Sequence, residues 1–311
     1  MEFKHKPVLL EEVITGLNIK PGGVYVDCTM GGGGHSSEIL KRLSQEGKLI
    51  GFDRDEDAVK VCREKFKNNK NVAVFHANYK DAPQILKEND INSLDGILID
   101  LGVSSYQIDN GDRGFSFLHD GPLDMRMDTR DSLNAYEVVN YYKREELLKI
   151  LYGYGEEDNA RRIVDNIIKA REFKPIETTF QLKDIIESSF PKKIIYGKGG
   201  VSKKTFQAIR IEVNGELTGL DDVLEEFIDM LAPGGRIAVL TFHSLEDRIV
   251  KNVFKKESTD CLCPPKIPVC ICGHKKKINL INKKPVTASE NELKENSRSS
   301  SAKLRVVEKI V

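Results

Sequence analysis

Residues 27–36 read Asp27-Cys28-Thr29-Met30-Gly31-Gly32-Gly33-Gly34-His35-Ser36 and follow a β-branched run. Consecutive glycines let the chain turn sharply and let a ligand approach main-chain N–H groups. Asp53 ends the next β-branched run, twenty residues after Gly33, where a carboxylate can accept both hydroxyls of an adenosine ribose. The stretch predicts a nucleotide-binding turn between a strand and a helix, with a simple tight turn as the alternative.

The segments around this turn alternate between strand-like and helix-like patterns, which is typical of a parallel sheet with crossover helices. We predict strands at 24–28, 48–53, 72–76 and 96–101, with helices at 36–43 and 57–66 between them. The alternation returns with a helix at 221–231, a Pro-Gly turn at 232–235 and a strand at 236–242, and a last strand is predicted at 302–307. The fold class is therefore α/β, with a doubly wound sheet.

Between residue 101 and residue 221 the pattern changes to a Gly-rich loop followed by helices. Apolar residues of 159–171 fall on one stripe, and a second helix follows a cap at Thr178 or Thr179. We expect three segments: 1–110 as the first part of the sheet domain, 111–212 as an inserted helical subdomain, and 213–311 as the second part with a basic tail.

The charges are balanced overall but are unevenly distributed. The chain has 48 basic and 48 acidic residues. Two segments are nevertheless cationic: 261–311 has eleven basic and four acidic residues, and 192–210 has no acidic residue and six basic ones, Lys192, Lys193, Lys198, Lys203, Lys204 and Arg210. Such segments suit a phosphate-binding surface, although solvated Lys-rich loops are the alternative.

Four of the six cysteines are close together in sequence, at Cys261, Cys263, Cys270 and Cys272. Four thiolates can surround a structural zinc ion, but the C-x-C spacing is tighter than is usual, and Pro264, Pro265 and Pro268 stiffen the link. Reduced thiols that pin a loop by packing, or that are redox-sensitive, are the alternative.

No segment approaches the roughly 20 apolar residues that span a bilayer, so we expect a cytoplasmic protein without membrane contact.

Asp27 bears on which nucleotide the glycine turn binds. A dinucleotide would bring a pyrophosphate to this turn, and an adjacent carboxylate would repel it. S-adenosylmethionine instead carries an ammonium and a sulfonium, both of which an acidic group favours. The negative charge of Asp27 therefore favours S-adenosylmethionine over NAD as the ligand, while a purely local role for Asp27 stays open.

Several longer strings resemble one family closely. They are HKPVLL at 5–10, DLGVSSYQ at 100–107, RGFSF at 113–117, DGPLDMRMD at 120–128, GYGEE at 153–157, TFQAIRI at 205–211, TFHSLEDRIVK at 241–251 and RSSSAKLR at 298–305. The chain resembles the ribosomal small-subunit RNA methyltransferase H family, which methylates N4 of a cytosine, and the resemblance extends over nearly the whole chain.

The resemblance implies a Rossmann-like class I methyltransferase sheet with an inserted helical RNA-recognition subdomain. The implied substrate is a cytosine of 16S rRNA at the decoding centre of the small ribosomal subunit, and the implied cofactor is S-adenosylmethionine. The cofactor contacts carried over by the resemblance are Gly33, Gly34, His35, Asp53, Tyr79, Asp100 and Gln107.

The chemistry of an exocyclic amine suggests the catalytic candidates. The N4 lone pair is delocalised into the ring, so acceptors must hold its N–H groups while the methyl donor waits in line. Asp100, Ser104 and His243 are the candidates, with a capping role as the alternative for His243. Two other functions compete: an NAD-dependent oxidoreductase, and a ribosome-assembly factor without catalysis. Either a monomer or a homodimer fits the sequence.

Overall fold

A computed structural model describes residues 7–195, 200–264 and 269–310. Of the residues named above, His5, Lys6, Lys198, Pro265 and Pro268 lie outside these ranges. The chain divides into two compact units, one formed by residues 1–102 and 218–311 and the other by residues 103–217. The inserted unit therefore begins and ends a few residues from the predicted boundaries at 110/111 and 212/213.

The first unit is built on one sheet, which has seven strands within the described residues. The strand order is β3-β2-β1-β4-β5-β7-β6. The first five of these pair in parallel, whereas β7 is antiparallel to β5 and to β6. The strands are β1 (Val24–Asp27), β2 (Lys48–Asp53), β3 (Val72–His76), β4 (Leu94–Asp100), β5 (Leu231–Thr241), β6 (Ile278–Leu280) and β7 (Lys303–Lys309).

Helices cover both faces of this sheet because its strands are apolar on both sides. Ile97 and Ile99 of β4 pack in one buried cluster, and Leu98 between them packs in another. The α-helices of both units, within the part of the chain that the structure describes, are α1 (Leu10–Leu17), α2 (Gly34–Leu40), α3 (Glu56–Phe66), α4 (Ala82–Glu88), α5 (Ser105–Asp109), α6 (Ala135–Tyr141), α7 (Arg144–Gly153), α8 (Ala160–Arg171), α9 (Thr179–Ser188), α10 (Lys192–Ile195), α11 (Lys203–Asn214), α12 (Leu220–Met230), α13 (Ser244–Glu257) and α14 (Glu290–Glu295).

The second unit, residues 103–217, contains α5 to α11 and has its own buried core. The stripe predicted on 159–171 is buried in this core through Ile163, Val164 and Ile167 of α8. Thr178 caps α9, since its side chain accepts the N–H of Gln181. The cap therefore lies at the first of the two predicted positions.

Two parts of the sheet differ from the sequence prediction. The predicted turn at 232–235 lies inside β5, where the pair Leu94/Leu231 is followed by the pair Gly96/Arg236. Residues 232–235 thus bulge opposite the single residue Asp95, and Gly234 has a φ of 73° that favours glycine. The edge strand β6 was not predicted, because it is only three residues long. Among the described residues, no helix meets the length and apolarity needed to cross a membrane.

Candidate active site

Acidic side chains end three neighbouring strands of the first unit. Asp27 ends β1 and pairs with Gly51 of β2 and Leu98 of β4. Asp53 and Asp100 each stand two residues beyond those partners, at the ends of β2 and β4. The carboxyl ends of parallel strands meet at one edge of a sheet, where open α/β folds bind their ligands. The three carboxylates predicted from the sequence therefore all lie at this edge.

Asp53 connects β2 to the glycine turn that follows β1. Its Oδ2 accepts the N–H of Gly31 at 2.7 Å, and its Oδ1 accepts the N–H of Asp55 at 2.9 Å. Loss of hydration raises the pKa of Asp53 to about 6. Because each carboxylate oxygen has two lone pairs, Asp53 can still accept further hydrogen bonds from a ligand.

Gly31 and Gly33 give the turn its shape. Both have a positive φ, of 52° and 68° respectively, which side chains rarely adopt. A Cβ on Gly33 would press against Cys62 and Phe66 of α3, whereas a Cβ on Gly31 would enter open space. The turn is thus packed against protein at Gly33 and open at Gly31, which leaves room for a ligand beside the Asp53 carboxylate.

Asp27 is buried below this turn and has partners close by in the chain. Its Oδ2 accepts the Ser36 hydroxyl at 2.5 Å, and its Oδ1 accepts the N–H of Thr29 at 3.2 Å. Burial, followed by repulsion from Asp53, raises the pKa of Asp27 to about 6. The local hydrogen bonds expected of a structural carboxylate are thus present, and a role of Asp27 toward a cationic ligand stays a prediction.

Asp100 has an unsatisfied acceptor at the end of β4. Its side chain is 25% exposed, yet Oδ1 is buried and has no hydrogen-bond partner within the described ranges. Loss of hydration raises the pKa of Asp100 well above its usual value, and Asp27 and Glu246 raise it further by repulsion. A buried carboxylate oxygen without a partner is costly, and a role of Asp100 in ligand binding stays a prediction.

His35 lies beside Asp100 in the same unit. Its Nδ1 is 3.7 Å from Asp100 Oδ2, and its Nε2 is 3.0 Å from the carbonyl oxygen of Val8. Since a carbonyl can only accept, Nε2 carries the hydrogen. Burial lowers the pKa of His35 to about 4, so the ring is neutral at pH 7. In this tautomer the unprotonated Nδ1 faces Asp100 Oδ2, so His35 neither donates a hydrogen bond to the carboxylate nor neutralises its charge.

Three further side chains hold this edge in place and were not assigned a role from the sequence. Thr29 Oγ1 accepts the N–H of Asp100 at 2.7 Å and so ties the turn to β4. Lys65 Nζ lies 3.0 Å from the carbonyl oxygens of both Gly32 and Gly33. Cys62 donates to the carbonyl of Gly31 at 3.3 Å. Lys65 and Cys62 lie on α3, far from the turn in sequence, so no local pattern reveals them.

Tyr79, the predicted adenine neighbour, follows the end of β3 in a short 3₁₀ turn, Tyr79–Asp81. Its side chain is buried in the main cluster of the first unit, and Lys80 Nζ lies 5.9 Å from the ring centroid. The ring therefore belongs to the wall of the sheet edge. Its contact with adenine stays a prediction.

Ser104 and Gln107 form a capping box at the start of α5, in the second unit. The Ser104 hydroxyl accepts the N–H of Gln107 at 3.2 Å, and Gln107 Oε1 accepts the N–H of Ser104 at 2.9 Å. Both side chains thus have a structural role that the sequence prediction did not include. Their predicted roles, catalysis for Ser104 and cofactor binding for Gln107, stay predictions.

His243 caps α13, which is the alternative role that the sequence suggested for this residue. Its Nδ1 accepts the N–H of Glu246 at 3.4 Å, while Glu246 Oε2 accepts the N–H groups of Phe242 and His243. His243 Nε2 is 3.1 Å from Glu246 Oε1 but is not aligned for a hydrogen bond. The side chain is thus held by the helix start, and a role in catalysis stays a prediction.

The basic segment at 192–210 contributes exposed cations to the second unit. Lys192, Lys193 and Lys203 are exposed. Lys204 donates to the carbonyl of Glu156 at 2.7 Å, and Arg210 forms a two-point ion pair with Glu216 at 2.8 Å. Arg210 is therefore used internally, which leaves the lysines as the phosphate-binding candidates.

The basic tail is also partly used inside its own unit. Lys303 and Arg305 bind the Asp247 carboxylate, and Lys277 binds Asp229. Lys283 and Lys284 are exposed. Only part of the positive charge counted in the sequence is therefore available to a polyanion.

Comparison with known proteins gives consistent matches over the full chain. The model of the MraW methylase family matches residues 2–310. Proteins named ribosomal RNA small subunit methyltransferase H are 54% identical over 310 residues in Clostridium botulinum strain 657 and 51% identical over 313 residues in Finegoldia magna, covering all of both chains.

Among solved structures, a SAM-dependent O-methyltransferase from Thermotoga maritima covers 99% of this chain and 68% of its own, with a TM-score of 0.42 and 8% identity. The fold assignment rests on the strand order and on the family match, and not on this likeness.

Proposed function

Because the chain belongs to the MraW methylase family, and is thus a methyltransferase with a class I methyltransferase sheet, we propose that it methylates N4 of a cytosine in 16S rRNA. The methyl donor in this proposal is S-adenosylmethionine, and the target lies at the decoding centre of the small ribosomal subunit. The observation that carries the proposal is the identity of 51–54% over the whole chain to proteins named for methylation of small-subunit ribosomal RNA.

The residues at the sheet edge fit a cationic nucleoside cofactor. S-adenosylmethionine supplies an activated methyl group on a sulfonium, together with an ammonium and a ribose diol. Asp53 has lone pairs for the diol, and the open side of Gly31 leaves room beside it. Asp27 and Asp100 supply negative charge whose burial is uncompensated in the protein alone. A dinucleotide pyrophosphate would meet the same carboxylates with like charge, so an NAD-dependent function is disfavoured.

In the proposed mechanism, Asp100 is the residue that accepts a hydrogen of the cytosine amine. Its side chain is 25% exposed, so a substrate can reach the carboxylate, and its buried Oδ1 has no hydrogen-bond partner among the described residues. Holding one N–H in this way draws the nitrogen lone pair out of conjugation with the ring and orients it for attack. A neighbouring cation lowers the pKa of Asp100 and keeps it ionised, which an acceptor requires.

The other catalytic and cofactor candidates have lower rank in this proposal. The Ser104 hydroxyl already accepts an N–H in the capping box, and both His243 and Gln107 are engaged at helix starts. Gly33, Gly34 and His35 shape the turn, and Tyr79 provides a ring near the adenine end. Asp53 and Asp27 carry most of the expected cofactor affinity, and Asp100 contributes a smaller share.

We assign RNA recognition to the inserted helical unit. Its bounds are taken as residues 103–217 in place of the predicted 111–212. The exposed lysines of the 192–210 segment would neutralise phosphates, and the target base would have to leave its stack to reach the sheet edge. The cellular location that follows is the cytoplasm, where ribosomal subunits are found. The second cofactor expected from the sequence, structural zinc, is a separate proposal and takes no part in methyl transfer.

The proposal is tested by incubating the protein with methyl-labelled S-adenosylmethionine and one of three acceptors: small subunits, naked 16S rRNA, or duplex DNA of equal length. We expect label in RNA, with the ratio between subunits and naked RNA identifying the true acceptor. Label only in protein or DNA, or binding of S-adenosylmethionine without transfer to either RNA, would contradict the proposal. The last result would favour an assembly factor.

A further inference from the structure

We propose that Cys261, Cys263, Cys270 and Cys272 bind one structural Zn²⁺ ion. The four cysteines carry no disulfide, and their Sγ atoms all lie within 4.8 Å of one another. Cys261 Sγ is 3.4 Å from Cys270 Sγ and 3.8 Å from Cys272 Sγ. Cys270 Sγ is 3.5 Å from Cys272 Sγ and 4.0 Å from Cys263 Sγ.

These separations match a single tetrahedral ion. With zinc–sulfur bonds of about 2.3 Å, the sulfurs at the corners of a regular tetrahedron are about 3.8 Å apart. Four of the six separations, at 3.4 to 4.0 Å, bracket that length, and the other two are within 4.8 Å. A multi-iron cluster places iron and sulfide between its thiolates and spreads them farther apart. The fold thus brings the four sulfurs to the size of a one-ion site.

The backbone of the segment is arranged for thiolates as well. The N–H of Leu262, in the middle of the first C-x-C pair, lies 3.4 Å from Cys272 Sγ of the second pair. The N–H of Ile271, in the middle of the second pair, lies 3.4 Å from Cys263 Sγ of the first. Each pair therefore directs an amide at a sulfur of the other. Hydrogen bonds from amides favour the charged form of an acceptor, and the thiolate is the form that binds metal.

Burial decides against the alternative of packed thiols. Cys261, Cys270 and Cys272 are exposed and Cys263 is half-buried, so the four side chains do not pin the segment through an apolar core. Leu262 and Ile271, which separate the cysteines within each pair, are also exposed, at 45% and 78%. Two exposed C-x-C pairs held this close together need a source of order other than apolar packing, and a bound ion supplies it.

The position of the cluster indicates what the ion stabilises. The segment leaves the end of α13 and returns to the start of β6, where the N–H of Lys277 donates to the carbonyl of Glu257 at 2.8 Å. His274 is bound nearby, with Nε2 3.0 Å from the carbonyl of Lys256. Hydrogen bonds thus join the two ends of this segment, and the ion would join its two C-x-C pairs.

The test measures metal in the purified full-length protein by elemental analysis for zinc, iron and copper. We expect about one zinc per chain in the wild type, falling below roughly 0.2 in Cys261→Ser and in Cys272→Ser. The matched controls Leu262→Ala and Ile271→Ala change exposed side chains of the same segment and keep the thiols and the amides. Both controls should retain zinc at the wild-type level.

A second readout does not depend on how the protein was purified. Replacing the metal with Co²⁺ should give the intense visible bands and the thiolate charge-transfer absorption of a tetrahedral site, and both should be absent in the serine variants. All variants should keep the wild-type circular dichroism, because the substituted side chains are outside the core. Wild-type protein with less than roughly 0.2 zinc per chain and no Co²⁺ spectrum would overturn the proposal. Stoichiometric iron or copper in place of zinc would also overturn it. The same holds if the four cysteines form two disulfides in protein purified with a reducing agent.

Discussion

Asp53 Oδ2 accepts the N–H of Gly31 at 2.7 Å, which joins the end of β2 to the open position of the glycine turn. The same carboxylate is the proposed partner of the ribose hydroxyls. Asp53 thus shapes the turn and also faces the space beside it. Removing its carboxylate should affect both the stability of the protein and its affinity for the cofactor.

Asp53→Ala should weaken S-adenosylmethionine binding by about 10- to 100-fold, because hydrogen bonds to a charged group contribute about 1.5–3 kcal/mol. Titration calorimetry measures the affinity. The control is Asp55→Ala, which removes the N-cap of α3 and should lower stability by about 1 kcal/mol while changing affinity less than about threefold. Wild-type affinity in Asp53→Ala would remove Asp53 from the proposed site.

The raised pKa values of the sheet edge predict a pH dependence of cofactor binding. The pKa of Asp27 and of Asp53 is about 6 in the protein alone. A cationic ligand favours the carboxylate forms, so binding lowers these pKa values and releases protons. Affinity should therefore be highest above pH 6 and should fall as the pH drops from 7 to about 5.

Calorimetry in two buffers of different ionisation enthalpy measures the proton release directly. Asp27→Asn keeps an acceptor for Ser36 or Thr29 but cannot titrate, so the release near pH 6 should be smaller in this variant. Equal affinity at pH 5 and pH 7 in the wild-type protein would show that the carboxylates do not face the cationic groups.

Asp100→Asn tests the proposed acceptor of the cytosine amine. The substitution keeps the size of the side chain and removes the charge, so kcat should fall by about 100- to 1000-fold, as is typical when one stabilising group of a transition state is lost. The cofactor dissociation constant should change by less than about tenfold. A change in that constant with kcat unaltered would assign Asp100 to the cofactor instead.

Much of the fold follows from local sequence patterns, and the reason is visible in β4. Ile97, Leu98 and Ile99 are buried on alternate faces, and such continuous apolar runs identify strands of a parallel sheet. The place where Asp27, Asp53 and Asp100 meet was likewise predictable, since parallel strands share one carboxyl edge. β6 was missed because its three residues become a strand only through pairing with β7.

The details of the site depend on contacts between distant segments, which local patterns do not contain. Lys65 of α3 holds the carbonyls of the glycine turn, and Thr29 holds the start of the Asp100 loop. The arginines of the 113–130 segment show that charge in a loop does not by itself identify a binding surface. Arg126 pairs with Asp124, and Arg130 pairs with Asp128. Their ion pairs favour a structural role over phosphate binding.

Lys203→Ala tests the proposed RNA surface. Lys203 is exposed at the start of α11, and loss of one phosphate contact should reduce the slope of log affinity against log salt by about 0.7 to 0.9. Binding of a 16S rRNA fragment at several salt concentrations gives the slope. Lys60→Ala is the control, since Lys60 lies on α3 of the other unit and pairs with Glu56. Identical slopes in the two variants would exclude Lys203 from the RNA surface.

The most direct test of the central claim identifies the methylated nucleoside. Small-subunit RNA from a strain that lacks this activity is treated with the protein and S-adenosylmethionine, digested to nucleosides, and separated by chromatography with mass detection against cytidine standards. The account predicts N4-methylcytidine, in an amount that reaches one per 16S rRNA and that forms about 100- to 1000-fold more slowly with Asp100→Asn. Appearance of 5-methylcytidine or 2′-O-methylcytidine in place of N4-methylcytidine would contradict it.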